Sequence, residues 1–405
     1  MLSVSATVTN DNGGTVTNPN EFGILADGQP ISVNTPHAVD AGVRQLSMIG
    51  LPGYEITHWG GDCNSDGELT LSLEQTATCT VTINDVPPVL TLTKIVSNDA
   101  GGTALPSDWT LAATGPINFN GSGPEVGSDS SLIAGNYELS EFGGPANYLA
   151  EGWICTGGTQ LDSDTINLKI GETAVCSITN DDISPTLKLI KNITNDNGGT
   201  ITDPDSFNLK IDNVIVPSGV PIEVLAGSHA ASEAGLVGYE AGTWVGDCSP
   251  DGNISLAIGQ NATCTLTNDD IPPSLTLIST VLNDNGGTVT DPNAFGLMVD
   301  GVPVISGNSS IVDMGNHVVS SLGLEGYMPS NWGGDCNGDG TIDLSLAQEA
   351  TCTITYDDIA PTLTVSKIIV NDDGGRITNE NQFGLKINGA IAQHGIPQAV
   401  NVGLH

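Results

Sequence analysis

Three short acidic loops carry oxygen side chains at a spacing suited to a hard metal ion. They read Asp62-x-Asn64-x-Asp66-Gly67, Asp247-x-Ser249-x-Asp251-Gly252 and Asp335-x-Asn337-x-Asp339-Gly340, with Asp343 added in the third. Alternating oxygens before a turn glycine are typical of the front half of a calcium loop. No bidentate Glu follows at the twelfth position and the flanks are strand-like, which excludes an EF-hand. Two interpretations stay open: calcium loops, or polar turns beside a disulfide.

A second group of carboxylates lies at the ends of a repeated unit. If the first and last strands of the unit end at the same pole, these carboxylates lie side by side next to the following unit. They are Asp11, Asp196 and Asp284 in a turn, and Asp85, Asp269, Asp270, Asp357 and Asp358 at the exit. Crowded carboxylates repel, and a hard divalent cation such as calcium would relieve the repulsion. The alternative is solvated turns beside a proline-stiffened linker.

The repeated unit is defined by the string Asn-Asp-x-Gly-Gly. It starts at Asn10, Asn98, Asn195, Asn283 and Asn371, so the repeats are 88, 97, 88 and 88 residues apart. Such a period predicts a linear array of small domains. The expected domains are residues 1–87, a divergent second repeat 88–185, 186–273, 274–361, and the first half of a fifth repeat, 362–405. Both ends of the chain are expected to be cut from a longer array.

Eight cysteines divide as two per complete repeat. The pairs are Cys63 with Cys79, Cys155 with Cys176, Cys248 with Cys264, and Cys336 with Cys352. A zinc site is disfavoured because no C-x-x-C pair or histidine cluster accompanies them. One disulfide per domain is therefore predicted, which indicates an oxidising, extracellular or cell-surface setting.

The amino-acid composition limits the classes of binding partner that we expect. The formal net charge is -38, with nine basic residues against 47 acidic ones. Such a chain repels nucleic acid and anionic membranes, so divalent cations and neighbouring repeats are the expected partners. No run of 18 apolar residues occurs, so no membrane span is predicted in this segment.

The local patterns are those of strands. Segments such as Leu90-Thr91-Leu92-Thr93-Lys94-Ile95-Val96 alternate apolar and polar residues, and the Asn-Asp-x-Gly-Gly that follows predicts a tight turn with positive φ. About seven strands per repeat, without a helical period, predict an all-β tandem array of small β-sandwiches. The recurring Tyr54 and Trp59, Tyr239 and Trp244, and Tyr327 and Trp332 are expected to fill the cores.

The order of these motifs resembles a known family. In the third repeat the elements are Asn195-Asp196-x-Gly198-Gly199, Phe207, Gly238-Tyr239, Trp244-x-Gly246-Asp247-Cys248, Thr263-Cys264-Thr265 and the proline-ended tail. This order is similar to the prealbumin-like, SpaA-like (Cna-B-type) domains of bacterial surface proteins. The resemblance implies that each repeat is an immunoglobulin-like or prealbumin-like β-sandwich, used as a stalk, spacer or fibre module in adhesins and pili. The second repeat departs from it, with Gly152-Trp153-Ile154-Cys155 and an insertion.

The resemblance also implies a covalent bond. Domains of this family often carry an isopeptide bond between a first-strand lysine and a last-strand asparagine, with a buried glutamate assisting proton transfer. The matching residues are Lys94, Glu141 and Asn180 in the second repeat, and Lys191, Glu233 and Asn268 in the third. The first repeat has Ala6 and Met48 instead, and the fourth has Ser279, Ser321 and Tyr356. The alternative is an ordinary surface pair of lysine and glutamate.

Two classes of function remain open at this point. One is an extracellular structural protein, a rigid stalk or filament building block that associates with itself or with neighbouring repeats. The other is an adhesin whose divergent second repeat binds a host, cell or carbohydrate ligand. An enzyme is not expected, because no nucleophile elbow or phosphate loop in a strand-to-helix context occurs.

Overall fold

The computed structural model describes all 405 residues, and its regular structure is almost entirely β. No α-helix is present; the helical elements are the short 3₁₀ helices Pro19–Phe22, Pro106–Asp108, Pro204–Phe207, Pro292–Phe295 and Glu380–Phe383. No helix has the length and hydropathy of a membrane span. The predicted all-β class is confirmed.

The first two repeats contain the following strands. In the first they are β1 (Leu2–Thr9), β2 (Ile24–Ala26), β3 (Gln29–Pro30), β4 (Gly42–Met48), β5 (Tyr54–Gly61), β6 (Glu68–Leu71) and β7 (Ala77–Asp85). In the second they are β8 (Val89–Ser97), β9 (Trp109–Thr114), β10 (Phe119–Ser122), β11 (Glu125–Gly127), β12 (Gly135–Gly143), β13 (Tyr148–Ala150), β14 (Ile154–Thr156), β15 (Thr159–Gln160), β16 (Thr165–Leu168) and β17 (Thr173–Asp182).

The remaining repeats follow the same order. The third contains β18 (Thr186–Thr194), β19 (Lys210–Ile211), β20 (Val214–Ile215), β21 (Pro221–Glu223), β22 (Gly227–Ser232), β23 (Tyr239–Ala241), β24 (Val245–Gly246), β25 (Asn253–Leu256) and β26 (Asn261–Asp270). The fourth contains β27 (Ser274–Leu282), β28 (Leu297–Val299), β29 (Val302–Pro303), β30 (Ser309–Ile311), β31 (Gly315–Ser321), β32 (Tyr327–Pro329), β33 (Gly333–Gly334), β34 (Thr341–Leu344) and β35 (Glu349–Asp358). The fifth contains β36 (Thr362–Leu363), β37 (Lys386–Ile387), β38 (Ala390–Ile391) and β39 (Gln398–Ala399).

Each of the first four repeats is a two-sheet sandwich. One sheet holds the first and last strands, in the orders β1-β7-β5, β11-β8-β17-β13, β21-β18-β26-β23 and β30-β27-β35-β32. The other holds the middle strands, in the orders β3-β2-β4-β6, β10-β9-β12-β16-β15, β20-β19-β22-β25 and β29-β28-β31-β34. The first strand runs parallel to the last, with Leu2 opposite Ala77 and Thr9 opposite Asn84. Both strands therefore end at the same pole, beside the Asn-Asp-x-Gly-Gly turn.

Strand alternation decides which polar residues enter the core. Along β26 every second residue is buried, and the series that buries Cys264 and Leu266 continues to Asn268 and Asp270. The intervening Asp269 faces solvent. Because side chains of a strand alternate between faces, two adjacent aspartates acquire opposite environments.

Contacts divide the chain into two compact units. The first comprises Met1–Thr186 with Glu223–Gly227 and Ser255–Asn261, and it holds the first two sandwiches. The second comprises Leu187–Ile222, Ser228–Ile254 and Ala262–His405, and it holds most of the third repeat and all of the fourth and fifth.

A histidine closes the β28–β29 turn of the fourth sandwich. His317 Nδ1 lies 2.6 Å from Asp300 Oδ2, and its Nε2 lies 2.7 Å from the Asp313 carbonyl oxygen. Both partners only accept, so the ring satisfies them together only when doubly protonated. Burial disfavours the charge, but Asp300 and the Asp313 carbonyl outweigh it and raise the pKa of His317. Arg44 makes the corresponding contact to Asp27 in the first sandwich.

This pair predicts a pH-dependent stability. The pKa of His317 is raised above the unfolded value of about 6.5, so its contribution is complete below that pH and is lost as pH rises through the folded pKa. We expect His317→Gln to lower the melting temperature most near about pH 6 and least in alkali. Melting curves across pH test this, with Arg44→Gln as the pH-insensitive control. An equal loss at every pH would contradict a protonated histidine.

Candidate functional site

The carboxylate at the end of the last strand closes the Asn-Asp-x-Gly-Gly turn. In the third sandwich the Asp270 side chain accepts backbone hydrogen bonds from Asp196 (3.1 Å), Asn197 (3.0 Å) and Gly199 (2.6 Å). Burial disfavours its charge, but these donors outweigh it and lower the pKa of Asp270. The same role belongs to Asp85, Asp182 and Asp358 in the other sandwiches. This carboxylate is thus a structural part of the turn.

A tyrosine locks the other side of the turn. The Tyr239 hydroxyl donates to Asn195 Oδ1 (2.6 Å) and accepts from the Ile201 amide (3.2 Å). The equivalent hydroxyls are those of Tyr54, Tyr148 and Tyr327. Sequence reasoning assigned the tyrosines of the first, third and fourth repeats to core packing alone and missed this lock. The constant separation of 44 residues between turn Asn and Tyr in those three repeats was the available signal.

The lock leaves no room for a side chain at the second turn glycine. A Cβ at Gly199 would lie 2.5 Å from the Tyr239 hydroxyl and 2.6 Å from Asn195 Oδ1. The first turn glycine, Gly198, has φ +95°, a conformation that L side chains rarely adopt. The two glycines therefore serve two different needs, backbone conformation and close approach.

A second, exposed carboxylate crowds each of three turns. Carboxylate oxygens of Asp196, Asp269 and Asp270, one from each residue, lie within 4.8 Å of one another. Repulsion from Asp269 raises the pKa of Asp196. Asp284, Asp357 and Asp358 form the same cluster, where Asp357 raises the pKa of Asp284. All ligand atoms are carboxylate oxygens, which suit calcium.

The second sandwich forms a third cluster that sequence reasoning missed. It consists of Asp99, Asp181 and Asp182. The signal was present, since Asn98-Asp99 and Asn180-Asp181-Asp182 repeat the motifs of the later repeats. In the first sandwich Asn84 replaces the middle carboxylate, so Asp11 and Asp85 have no third partner there.

The acidic loops beside the disulfides use their oxygens differently. The first aspartate of each loop accepts a hydrogen bond from the backbone amide of a threonine sixteen residues later in the chain. The bonds run from Thr78 to Asp62 (2.8 Å), from Thr263 to Asp247 (2.7 Å) and from Thr351 to Asp335 (2.7 Å). Asn64 accepts from the amides of Asp66 and Glu68, while Asp251 and Asp339 accept from Ser249 and Thr341. Asn337 donates to Thr341, and Asp343 lies on β34 opposite Asn316. These loops have the bonding of polar turns, and calcium in them stays a prediction.

All eight cysteines are paired. The bonds are Cys63–Cys79, Cys155–Cys176, Cys248–Cys264 and Cys336–Cys352. Each joins the last strand of a sandwich to a cysteine 16 residues earlier, or 21 residues earlier in the second sandwich. Closing a loop of this size stabilises a domain by about 3 kcal/mol in the chain-entropy model.

The third sandwich assembles lysine, glutamate and asparagine in its core. Lys191 Nζ contacts both Glu233 Oε2 and Asn268 Oδ1, and Asn268 Nδ2 donates to Glu233 Oε1 (2.8 Å). The lysine side chain is fully buried, with its amine 4.4 Å from the centre of the Phe207 ring. Burial lowers the pKa of Lys191, and the Glu233 carboxylate opposes that shift. A buried amine with a depressed pKa is the state in which lysine acts as a nucleophile.

The second sandwich repeats most of this arrangement. Lys94 Nζ lies 2.9 Å from Glu141 Oε2 and 4.8 Å from the centre of the Trp109 ring. Asn180 is buried, and its Oδ1 makes no hydrogen bond. Burial lowers the pKa of Lys94, again opposed by its glutamate. Neither lysine belongs to an exposed surface pair, because both side chains are 0% exposed.

The first and fourth sandwiches fill the same position without a lysine, a glutamate or an asparagine. Ala6 and Met48 occupy it in the first. In the fourth, Ser279 donates to the Pro292 carbonyl, and the Tyr356 ring stacks on Phe295 at 3.8 Å. These two sandwiches therefore lack the groups for lysine-to-asparagine chemistry.

The turn also joins one sandwich to the next within each unit. In the first unit the Asn12 carbonyl accepts from the Ala134 amide (2.9 Å), and linker Val86 bonds to Gly53 and Gly171 (both 2.8 Å). In the second unit the corresponding partners are Asn197 with Met314 (2.9 Å), and Ile271 with Gly238 (2.9 Å) and Ala347 (2.8 Å). The linker residue is thus hydrogen-bonded to both of the sandwiches that it connects.

Comparisons with known proteins agree with this fold. Residues 1–81, 85–178, 182–266 and 270–354 each match the family described as "Prealbumin-like fold domain". No curated protein matches the chain.

Several solved structures are similar at low identity. The chain is similar to the Bacillus anthracis TIE protein (14% identity, 84% of this chain and 66% of that chain, TM-score 0.43). It is also similar to two B repeat units of the collagen-binding protein of Staphylococcus aureus (11% identity, 88% and 98%, TM-score 0.22). A third similar structure is the major pilin protein T-13 of Streptococcus pyogenes (14% identity, 46% and 98%, TM-score 0.21). Because the four family matches cover most of the chain, this protein belongs to the family of prealbumin-like fold domains.

Proposed function

We propose that this chain is an extracellular structural array, a stalk or filament segment of a cell surface. The observation that carries the proposal is the repeated joint, in which the turn carbonyl and the linker residue make the same three backbone hydrogen bonds at the first and third junctions. Linkers of three residues separate the strands, as between Asp85 and Val89, and leave little freedom. We propose domains 1–87, 88–185, 186–273 and 274–361, followed by 362–405. Disulfides in every sandwich suit an oxidising exterior.

We expect small-angle scattering to show an extended particle. A compact globule of this length has a radius of gyration of about 22 Å, whereas a string of sandwiches gives a much larger value. A measured value near that of the globule would overturn the proposal. Gly198→Ala tests the joint, since its Cβ would lie 3.1 Å from Met314 Cβ, and it should broaden the distribution of lengths. Gly301→Ala is the matched control, because Gly301 also has positive φ (+80°) but no atom within 4 Å of its Cβ position.

We also propose that the three carboxylate clusters at the turns bind calcium. Binding to the native state adds stability by mass action, about 2.7 kcal/mol at a hundredfold excess over Kd. We expect calcium to raise the melting temperature and reduce protease cleavage at the junctions. Asp269→Asn and Asp357→Asn should abolish the effect for their repeats, and the first repeat, with Asn84, serves as the internal control. Unchanged melting and cleavage in excess chelator would contradict this role.

A covalent element completes the proposal. We propose that Lys191 attacks the Asn268 side-chain carbonyl carbon, forming an amide and releasing ammonia. Glu233 contacts both reacting groups, so it can take the amine proton and return it to the leaving nitrogen. Lys94, Glu141 and Asn180 are proposed to react in the same way.

A further inference from the structure

A groove opens on the outer face of the fourth sandwich. Its volume is about 460 Å³, and its apolar walls are Leu282, Met328 and Ile359. The side chains of Leu282 and Met328 are 47% and 62% exposed. Thr355 and Asp357 line the space between the walls. Three large apolar side chains therefore surround an exposed carboxylate.

Strand register explains the grouping. On neighbouring strands, Leu282 of β27 and Met328 of β32 both lie directly opposite Asp357 of β35. Directly opposed residues project from the same face of a sheet, about 5 Å apart. The result is a row across three strands with an acidic centre and apolar ends.

The row is particular to this sandwich. The positions of Leu282 and Met328 are occupied by Thr9 and Glu55 in the first repeat, Ser97 and Leu149 in the second, and Thr194 and Glu240 in the third. The prealbumin-like fold therefore does not require apolar residues there. The second and third repeats keep an isoleucine, Ile183 and Ile271, at the position of Ile359, and the second also keeps an apolar residue, Leu149, at the position of Met328.

The groove also bears a charge that the repeat cannot neutralise. Carboxylate oxygens of Asp284 and Asp357 lie within 4.8 Å of each other, beside the apolar walls. Residues 274–361 contain no lysine and no arginine. His317 of this repeat is bonded to Asp300, so in the absence of calcium a cationic group that pairs with Asp284 and Asp357 must come from elsewhere.

We propose that this groove binds an extended segment of a partner protein in which a lysine or arginine adjoins a large apolar side chain. The apolar side chain fills the space between Leu282 and Met328 and gains from leaving water. The basic group reaches Asp357 and Asp284, which confers selectivity and speeds association. An anionic lipid surface is disfavoured by the same carboxylates.

The probe is a short acetylated and amidated peptide containing Lys-Phe-Lys-Leu, titrated into the full chain by calorimetry in the presence of chelator. We expect one bound peptide per chain. Peptides with Ser replacing Phe and Leu, or Glu replacing Lys, should bind at least about tenfold more weakly, which is about 1.4 kcal/mol. If the peptide with Ser in place of Phe and Leu binds as tightly as the original, net charge alone accounts for the binding and the proposal is overturned. Failure of the original peptide to bind would do the same.

Exchange of residues between repeats gives the decisive variants. Leu282→Thr with Met328→Glu installs the residues of the third repeat and should remove binding while the melting temperature is kept. The reciprocal change, Thr194→Leu with Glu240→Met, should create a second site and raise the stoichiometry from one to two. Unaltered binding in the first variant would overturn the proposal. Concentration-dependent dimers of the wild type that are lost in that variant would also overturn it, in favour of a second copy of the chain.

Discussion

Intact mass spectrometry of the reduced chain is expected to show the loss of two molecules of ammonia, one from each lysine-asparagine pair. In the third sandwich the buried amine, the amide and the carboxylate are already in contact, so little reorganisation precedes attack. The bond would close a loop between Lys191 and Asn268, which are 77 residues apart. A cross-link of that span stabilises the fold by about 4 kcal/mol in the chain-entropy model.

Glutamate variants separate chemistry from packing. Glu233→Gln keeps the shape of the side chain but removes its basicity, so we expect a mass higher by one ammonia and a lower melting temperature. Ser321→Ala changes the matching position of the fourth sandwich, which lacks the lysine, and should leave the number of ammonia losses unchanged. A wild-type chain at its full calculated mass would rule out both bonds.

The second large effect is expected from the turn carboxylate. Asp270→Ala would leave the amides of Asp196, Asn197 and Gly199 without their acceptor in a partly buried setting. Loss of several charge-assisted hydrogen bonds should lower the local free energy of unfolding by about 3 kcal/mol. Hydrogen exchange of these amides, measured in chelator to exclude metal effects, reports the change directly.

Asp269→Ala is the matched control for that experiment. It removes the neighbouring carboxylate, which is exposed and repels Asp196, so the turn amides should exchange as slowly as in the wild type or more slowly. Equal acceleration in both variants would show that net charge, and not the buried acceptor, controls the turn.

The sequence was sufficient for the features that repeat in register. The spacing of turn, tryptophan and cysteine, constant in three repeats and altered in the second, predicted four sandwiches and one disulfide within each. The alternation that buries Cys264 and Leu266 could be read forward to Asn268 and Asp270, yet sequence reasoning treated Asp269 and Asp270 alike. Their division into a buried acceptor and an exposed carboxylate depends on the alternation of side chains along the strand.

Other features depend on partners that lie far apart in the chain. The hydroxyl of Tyr239 meets Asn195 across the pole of the sandwich, and no local pattern states that contact. The cluster around Asp99 was overlooked because the second repeat differs elsewhere. The groove beside Met328 is visible only once three strands are aligned, because Leu282 and Asp357 are not sequence neighbours.

The parallel pairing of first and last strands determines how each sandwich bears tension. The chain starts a sandwich at Leu2, on β1, and leaves it at Asp85, on β7, so a pull on the two ends drives these adjacent strands in opposite directions along their length. The rungs from Leu2–Ala77 to Thr9–Asn84 are then loaded in shear and must fail together, not one after another. In the third sandwich Lys191 and Asn268 lie across the same two strands, where a covalent link would carry the load past every hydrogen bond.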